Sequence, residues 1–134
     1  MSTIAEIDTA HEEFTTLRRD IHAHPELAFQ ENRTSDVVAE RLASYGIEVH
    51  RGLGKTGVVG VLRGSQTAAG GKPRAIGVRA DMDALPMPEH NRFSHASRHE
   101  GRMHGCGHDG HTAMLLGAAK YLAKHRDFDG IVNF

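Results

Sequence analysis

Five side chains able to bind a divalent cation fall within eight positions in His104-Gly-Cys106-Gly-His108-Asp109-Gly-His111. A thiolate and an imidazole one residue apart, as in Cys106 and His108, can converge on one ion in an irregular segment. Gly105, Gly107 and Gly110 permit the backbone angles this needs. Cys106 and His108 are therefore the candidate metal ligands. A lone cysteine is otherwise most often a small core residue. His104 and His111 fit direct ligation, orientation of a ligand from behind, or a plain loop role. Asp109, three residues before Thr112, could instead cap a helix.

A second group is Arg79-Ala-Asp81-Met-Asp83-Ala-Leu-Pro86, directly after a strand candidate that ends near Val78. Ligands of open α/β sheets gather beyond the carboxyl ends of strands. Asp81 and Asp83 there are placed to bind a metal or to orient a metal-bound histidine, and an aspartate-led turn before proline is the alternative. A third group is His22-Ala-His24-Pro25-Glu26, whose spacing could also bind metal. A histidine in the last turn of a helix followed by proline is also an ordinary terminator, and that structural reading is preferred. Histidine is abundant, with 11 residues, and six of them lie between His90 and His111. Purification tags are consecutive and terminal, which these are not.

The elements that position these groups can be read from periodicity. Apolar residues at Ile4, Ile7, Ala10, Phe14, Leu17 and Ile21 predict one face of a helix from Ile4 to about His22, ended by Pro25. Val37, Val38, Arg41 and Leu42 predict a second helix from about Thr34 to Tyr45, with Gly46 in the C-terminal capping position. The runs 47–50, 57–62 and 75–78 are strand candidates, the last two predicted as sheet neighbours. Between them, Gly64 to Pro73 is predicted to be an exposed connection. Pro86 to Gly110 lacks periodicity and is expected to be a functional loop. Thr112 to about His125 predicts a helix apolar on most of its circumference, and Ile131 begins a further strand. Strand, helix, strand in that order predicts a βαβ unit, an α/β fold and a mainly parallel sheet flanked by helices.

A length of 134 residues suits one domain, and 16 basic against 17 acidic residues give no electrostatic reason to bind nucleic acid or an anionic membrane. No apolar run approaches a membrane span, and residues 1–10 lack a secretory pattern, so a cytoplasmic location is expected. A single cysteine cannot form an internal disulfide, which leaves core packing, metal ligation or nucleophilic chemistry for Cys106.

The strings Arg18-Arg-Asp-Ile-His-Ala-His-Pro-Glu-Leu27, Gly77-Val-Arg-Ala-Asp-Met-Asp-Ala-Leu-Pro86 and Met103-His-Gly-Cys-Gly-His-Asp-Gly-His-Thr112 resemble the aminoacylase, hippurate hydrolase and auxin-conjugate amidohydrolase family of metallopeptidases. They occur in that family's order and span essentially the whole chain. Gly105 stands where those proteins commonly have alanine. The resemblance implies a site for two divalent ions, of manganese, zinc, cobalt or nickel. Cys106 and His108 match its first two ligands and Asp83 its active-site aspartate. It also implies hydrolysis of small N-acyl amino acids, a glutamate base and further ligands beyond the strand at Ile131, a later dimerisation domain, and a homodimeric or homotetrameric parent. No glutamate follows Glu100. Residues 1–134 are thus expected to form the N-terminal, metal-binding portion of a catalytic domain, incomplete as a catalyst and poorly behaved alone. A non-catalytic metal-binding remnant is the rival. Nucleophilic use of Cys106, which would survive metal removal, is a third reading.

Overall fold

The computed structural model describes residues 5–66 and 74–134. Three helices and four strands follow one another as α1 (Ala5–Ala23), α2 (Asn32–Ser44), β1 (Glu48–Leu53), β2 (Gly57–Arg63), β3 (Ala75–Gly77), α3 (His108–Lys124) and β4 (Ile131–Asn133). Ile4 and most of the Gly64–Pro73 connection fall outside the described residues.

The three-and-four spacing of α1 buries Leu17 and Ile21 and leaves Ile7 exposed near the start. The helix ends at Ala23, two residues before Pro25, whose ring cannot continue it. Glu26 then opens α2. Its Oε1 accepts from the Arg33 backbone N–H (2.9 Å), and its Oε2 accepts from the Thr34 N–H and hydroxyl, both at 2.8 Å. These bonds satisfy first-turn amides that have no partner within the helix. At the other end Gly46 takes φ +72°, the left-handed turn expected of a terminal glycine.

The sheet order is β1-β2-β4-β3. β1 and β2 form an antiparallel hairpin, β2 and β4 pair antiparallel, and β3 and β4 pair parallel. The predicted βαβ unit is therefore present as β3-α3-β4. The sheet is mixed rather than mainly parallel, because the hairpin turn and the return of β4 beside it impose two antiparallel pairings. The strands at 57–62 and 75–78 were expected to be neighbours, but β4 lies between them. Val132 pairs with Leu62 on one side and Ile76 on the other.

The core gathers Leu17 and Ile21 of α1, Val38 and Leu42 of α2, Ile47, Leu62, Val132 and Phe134 of the sheet region, and Leu116 and Ala119 of α3. Leu116 and Ala119 are fully buried, whereas Met114, on the same helix, is 66% exposed. α3 thus packs deeply on one side, mainly against α1 and α2, and is less enclosed than its composition predicts. Glu13 of α1 is not left to solvent. It instead ties the three helices, bonding Arg41 of α2 at 3.0 Å and Lys120 of α3.

Candidate metal centre

The long loop was expected to run to Gly110, but α3 begins at His108. Gly107 explains the early start, because its φ of +86° turns the chain into the helix through a conformation that side chains disfavour. His108, Asp109, Gly110 and His111 consequently form the first helical turn. Residues three apart on a helix share a face, so His108 and His111 lie together, their ring centroids 5.5 Å apart. Asp109 and Gly110 face the protein interior.

Beyond β3 the chain runs as an irregular segment that carries Asp81 and Asp83 to this turn. The Nδ1 of His108 lies 2.8 Å from the Asp83 carbonyl oxygen and 3.0 Å from the Asp83 carboxylate. Both partners are acceptors, so Nδ1 carries the proton and Nε2 presents a lone pair. That Nε2 is 3.7 Å from the Asp81 carboxylate. Asp81 is held from two directions, its carbonyl accepting from the Thr112 hydroxyl at 3.0 Å and its carboxylate pairing with the exposed Arg79. Among the described residues, Asp81, His108 and His111 bring one ligand atom each within 4.8 Å of one another. A histidine fixed by a carboxylate behind it, next to a second carboxylate and a second imidazole, suits an N/O-ligating divalent cation.

Cys106 is exposed and unpaired on the loop just ahead of Gly107, outside that three-residue cluster. His104 points the other way. It is 4% exposed, and burial pushes its pKa below the ordinary 6.5, which leaves a neutral ring. At Gly105 the added methyl of an alanine would press on the flexible end of the Met87 side chain at 3.0 Å and touch Leu85 at an ordinary 3.5 Å.

On the far side of the same turn, Asp109 is 1% exposed and accepts from Arg18 Nε (3.2 Å) while facing His22 Nδ1 (2.9 Å). Burial disfavours its charge, but the bonds from His22 and Arg18 outweigh that and hold its pKa below the usual 3.8. Gly110 makes the contact possible, because a side chain there would meet the Arg18 guanidinium at 3.3 Å. His22 Nε2 faces Glu89 Oε1 at 3.1 Å, and Glu89 also accepts from Asn91 and the Ser97 amide. His24 turns back on its own helix, its Nδ1 2.7 Å from the Asp20 carbonyl. The preferred structural reading of His22 and His24 agrees with this geometry. Sequence reasoning misses Arg18 and Glu89 as partners because Arg18 lies 91 residues from Asp109 and Glu89 lies 67 from His22, with no local pattern to join them.

Fold and donor set together define an α/β protein whose βαβ unit carries donors of the kind that ligate divalent cations. Residues 77–133 match peptidase family M20/M25/M40. It is 48% identical over 133 residues to a hippurate hydrolase of Campylobacter jejuni, covering 99% of this chain and 33% of that protein. It is 48% identical over 122 residues to an N-acyl-L-amino acid amidohydrolase of Geobacillus stearothermophilus, covering 90% and 31%. The Bacillus subtilis YXEP protein, described as a dinuclear metal-binding peptidase of the M20 family, superposes with a TM-score of 0.87 at 38% identity, covering 95% of this chain and 34% of that one. The chain thus spans about a third of the length of these relatives. No helix among the described residues is long and apolar enough to cross a membrane.

Proposed function

We propose that these residues form the metal-binding portion of an amidohydrolase that cleaves the amide bond of small N-acyl amino acids of the hippurate kind. The observation that carries this reading is the orientation of His108, whose Nδ1 is committed to Asp83 while Nε2 remains available beside Asp81. In this reading the Cys106 thiolate and His108 Nε2 are ligands of a two-metal site, with Asp81 and His111 close enough to complete or adjust it. Bound divalent cations polarise an acyl carbonyl and lower the pKa of water towards roughly 7.

The chain's own residues supply the rest of what can be derived. Asp83 fixes the tautomer of His108 and raises its basicity as a donor. Gly107 sets the angle at which the Cys106 loop meets the helix. The carboxylates of Asp81 and Asp83 lie at the border of an open cavity of about 630 Å³, lined in part by Phe29, Val58, Met82 and Leu115, large enough for a small acyl amino acid. Amide hydrolysis also needs a group to take and return a proton. No glutamate follows Glu100 to do so. The chain spans about a third of the length of its relatives, which supports a second reading, in which these residues alone bind metal without turning substrate over.

One experiment separates the possibilities. A chimaera in which this chain replaces the matching third of the Campylobacter jejuni hippurate hydrolase should release benzoate from hippurate with added manganese. Chelation or Cys106→Ala should abolish the release. The 134-residue chain alone should bind manganese and release none. A folded, metal-loaded chimaera that leaves hippurate intact would contradict the amidohydrolase reading.

A further inference from the structure

His22 sits in the last turn of α1 with both ring nitrogens facing carboxylates, Asp109 at 2.9 Å and Glu89 at 3.1 Å. A neutral imidazole has one donor and one acceptor nitrogen, whereas an ionised carboxylate only accepts. Two such contacts are compatible with two ionised carboxylates only if the ring carries both protons. The surroundings favour ionisation of each carboxylate, since Asp109 also receives Arg18, and Glu89 also receives Asn91 and the Ser97 amide. The charges balance, with Arg18 and His22 positive against Asp109 and Glu89 negative. The other rings beside His22 are Phe93, His95 and the neutral, buried His104. Helix geometry adds to this, because the C-terminal end of α1 favours a cation and the N-terminal end of α3 favours an anion.

This one ring joins three elements: α1, the loop through Glu89, and the first turn of α3. The residue it anchors in α3 directly follows His108. We propose that His22, doubly protonated between Asp109 and Glu89, is a positioning residue that locks the first turn of α3 and so aims His108 at the metal. The functional half of this proposal rests on the metal-binding reading above, whereas the protonation half does not.

The test has two parts. Nitrogen-15 spectra of the histidine rings in the unmodified protein at pH 6.5 should show both nitrogens of His22 protonated in most molecules, and a predominantly single-proton, neutral ring would overturn the proposal. Cobalt(II) titration of the unmodified protein, His22→Gln and His22→Lys should then show about a 10- to 100-fold loss of affinity for the glutamine variant, the range for removing a partner behind a ligand. Lysine, which can donate to both carboxylates, should restore most of it. Unchanged affinity in folded His22→Gln, or no rescue in folded His22→Lys, would overturn the positioning role. If a variant does not fold, the ring spectra still decide the protonation claim on which the proposal stands. If the unmodified protein binds no cobalt, the metal-binding reading fails while the ring spectra still test the charge of His22.

Discussion

Two groups of ionisable side chains meet the first turn of α3 from opposite sides, and they differ in how much of their bonding capacity is already committed. On the inner side Asp109 and Glu89 have nearly inaccessible side chains and engage Arg18, His22 and backbone groups. On the outer side Asp81, His108 and His111 lie close together, with a His108 nitrogen and carboxylate oxygens still presented. A carboxylate in the interior is tolerated only when it is paired, so the inner group is a structural fastening. Donors gathered without saturating one another suit an external ligand. Adjacent residues, His108 and Asp109, therefore serve different ends, and the helix start separates them by turning one outward and the other inward.

The largest expected effect breaks the inner group. Asp109→Ala leaves Arg18 and His22 without their buried acceptor and should cost about 1 to 3 kcal/mol in denaturant unfolding. The matching outer change, Asp81→Ala, should alter stability by less than about 1 kcal/mol. Similar costs for the two would erase the distinction between the regions. Next, His108→Ala should weaken manganese binding, measured calorimetrically, by more than the roughly hundredfold that loss of an outer partner can cause. Asp83→Ala should fall within about 10- to 100-fold, since it removes the orientation of the ring but not the donor. An Asp83 effect equal to that of His108 would move Asp83 into the ligand set itself.

The smallest effect is a pH dependence. Burial lowers the proton affinity of His22, but its bonds to Glu89 and Asp109 more than offset this, so its folded-state pKa lies above the ordinary 6.5. A raised value in the folded state means that the contribution to stability is complete below about pH 6.5 and is lost as pH rises through the folded-state value. Melting temperature should accordingly decline on that alkaline limb, and the decline should flatten in His22→Gln. An unchanged slope in the variant would show that another group titrates there.

Much of this arrangement is legible in the sequence. The helices follow from the spacing of Leu17, Ile21, Val38 and Leu42, and the βαβ unit from a strand, a helix and a strand in succession. The donors themselves stand out because Cys106 to His111 crowd together. The start of α3 was misplaced by four residues because three glycines and two histidines score as loop, whereas tertiary contacts from Arg18 and His22 fix Asp109 and let the helix begin earlier. The same error hid the shared face of His108 and His111, which the three-residue spacing would reveal once the turn is known to be helical. Sheet order was not legible either, since the adjacency of β2 and β4 depends on pairing between residues about 70 apart. Glu89 carries no local signal at all, because its role exists only once His22 is brought against it.

The central claim is that Cys106 and His108 hold a divalent cation together, and cobalt(II) tests it most directly. Cobalt added to the protein should produce a thiolate-to-metal charge-transfer band in the near ultraviolet and intense visible bands of low coordination number. Cys106→Ala should remove the first, and His108→Ala should sharply weaken binding. Cobalt bound tightly with no thiolate band, or bound equally well without His108, would contradict the claim.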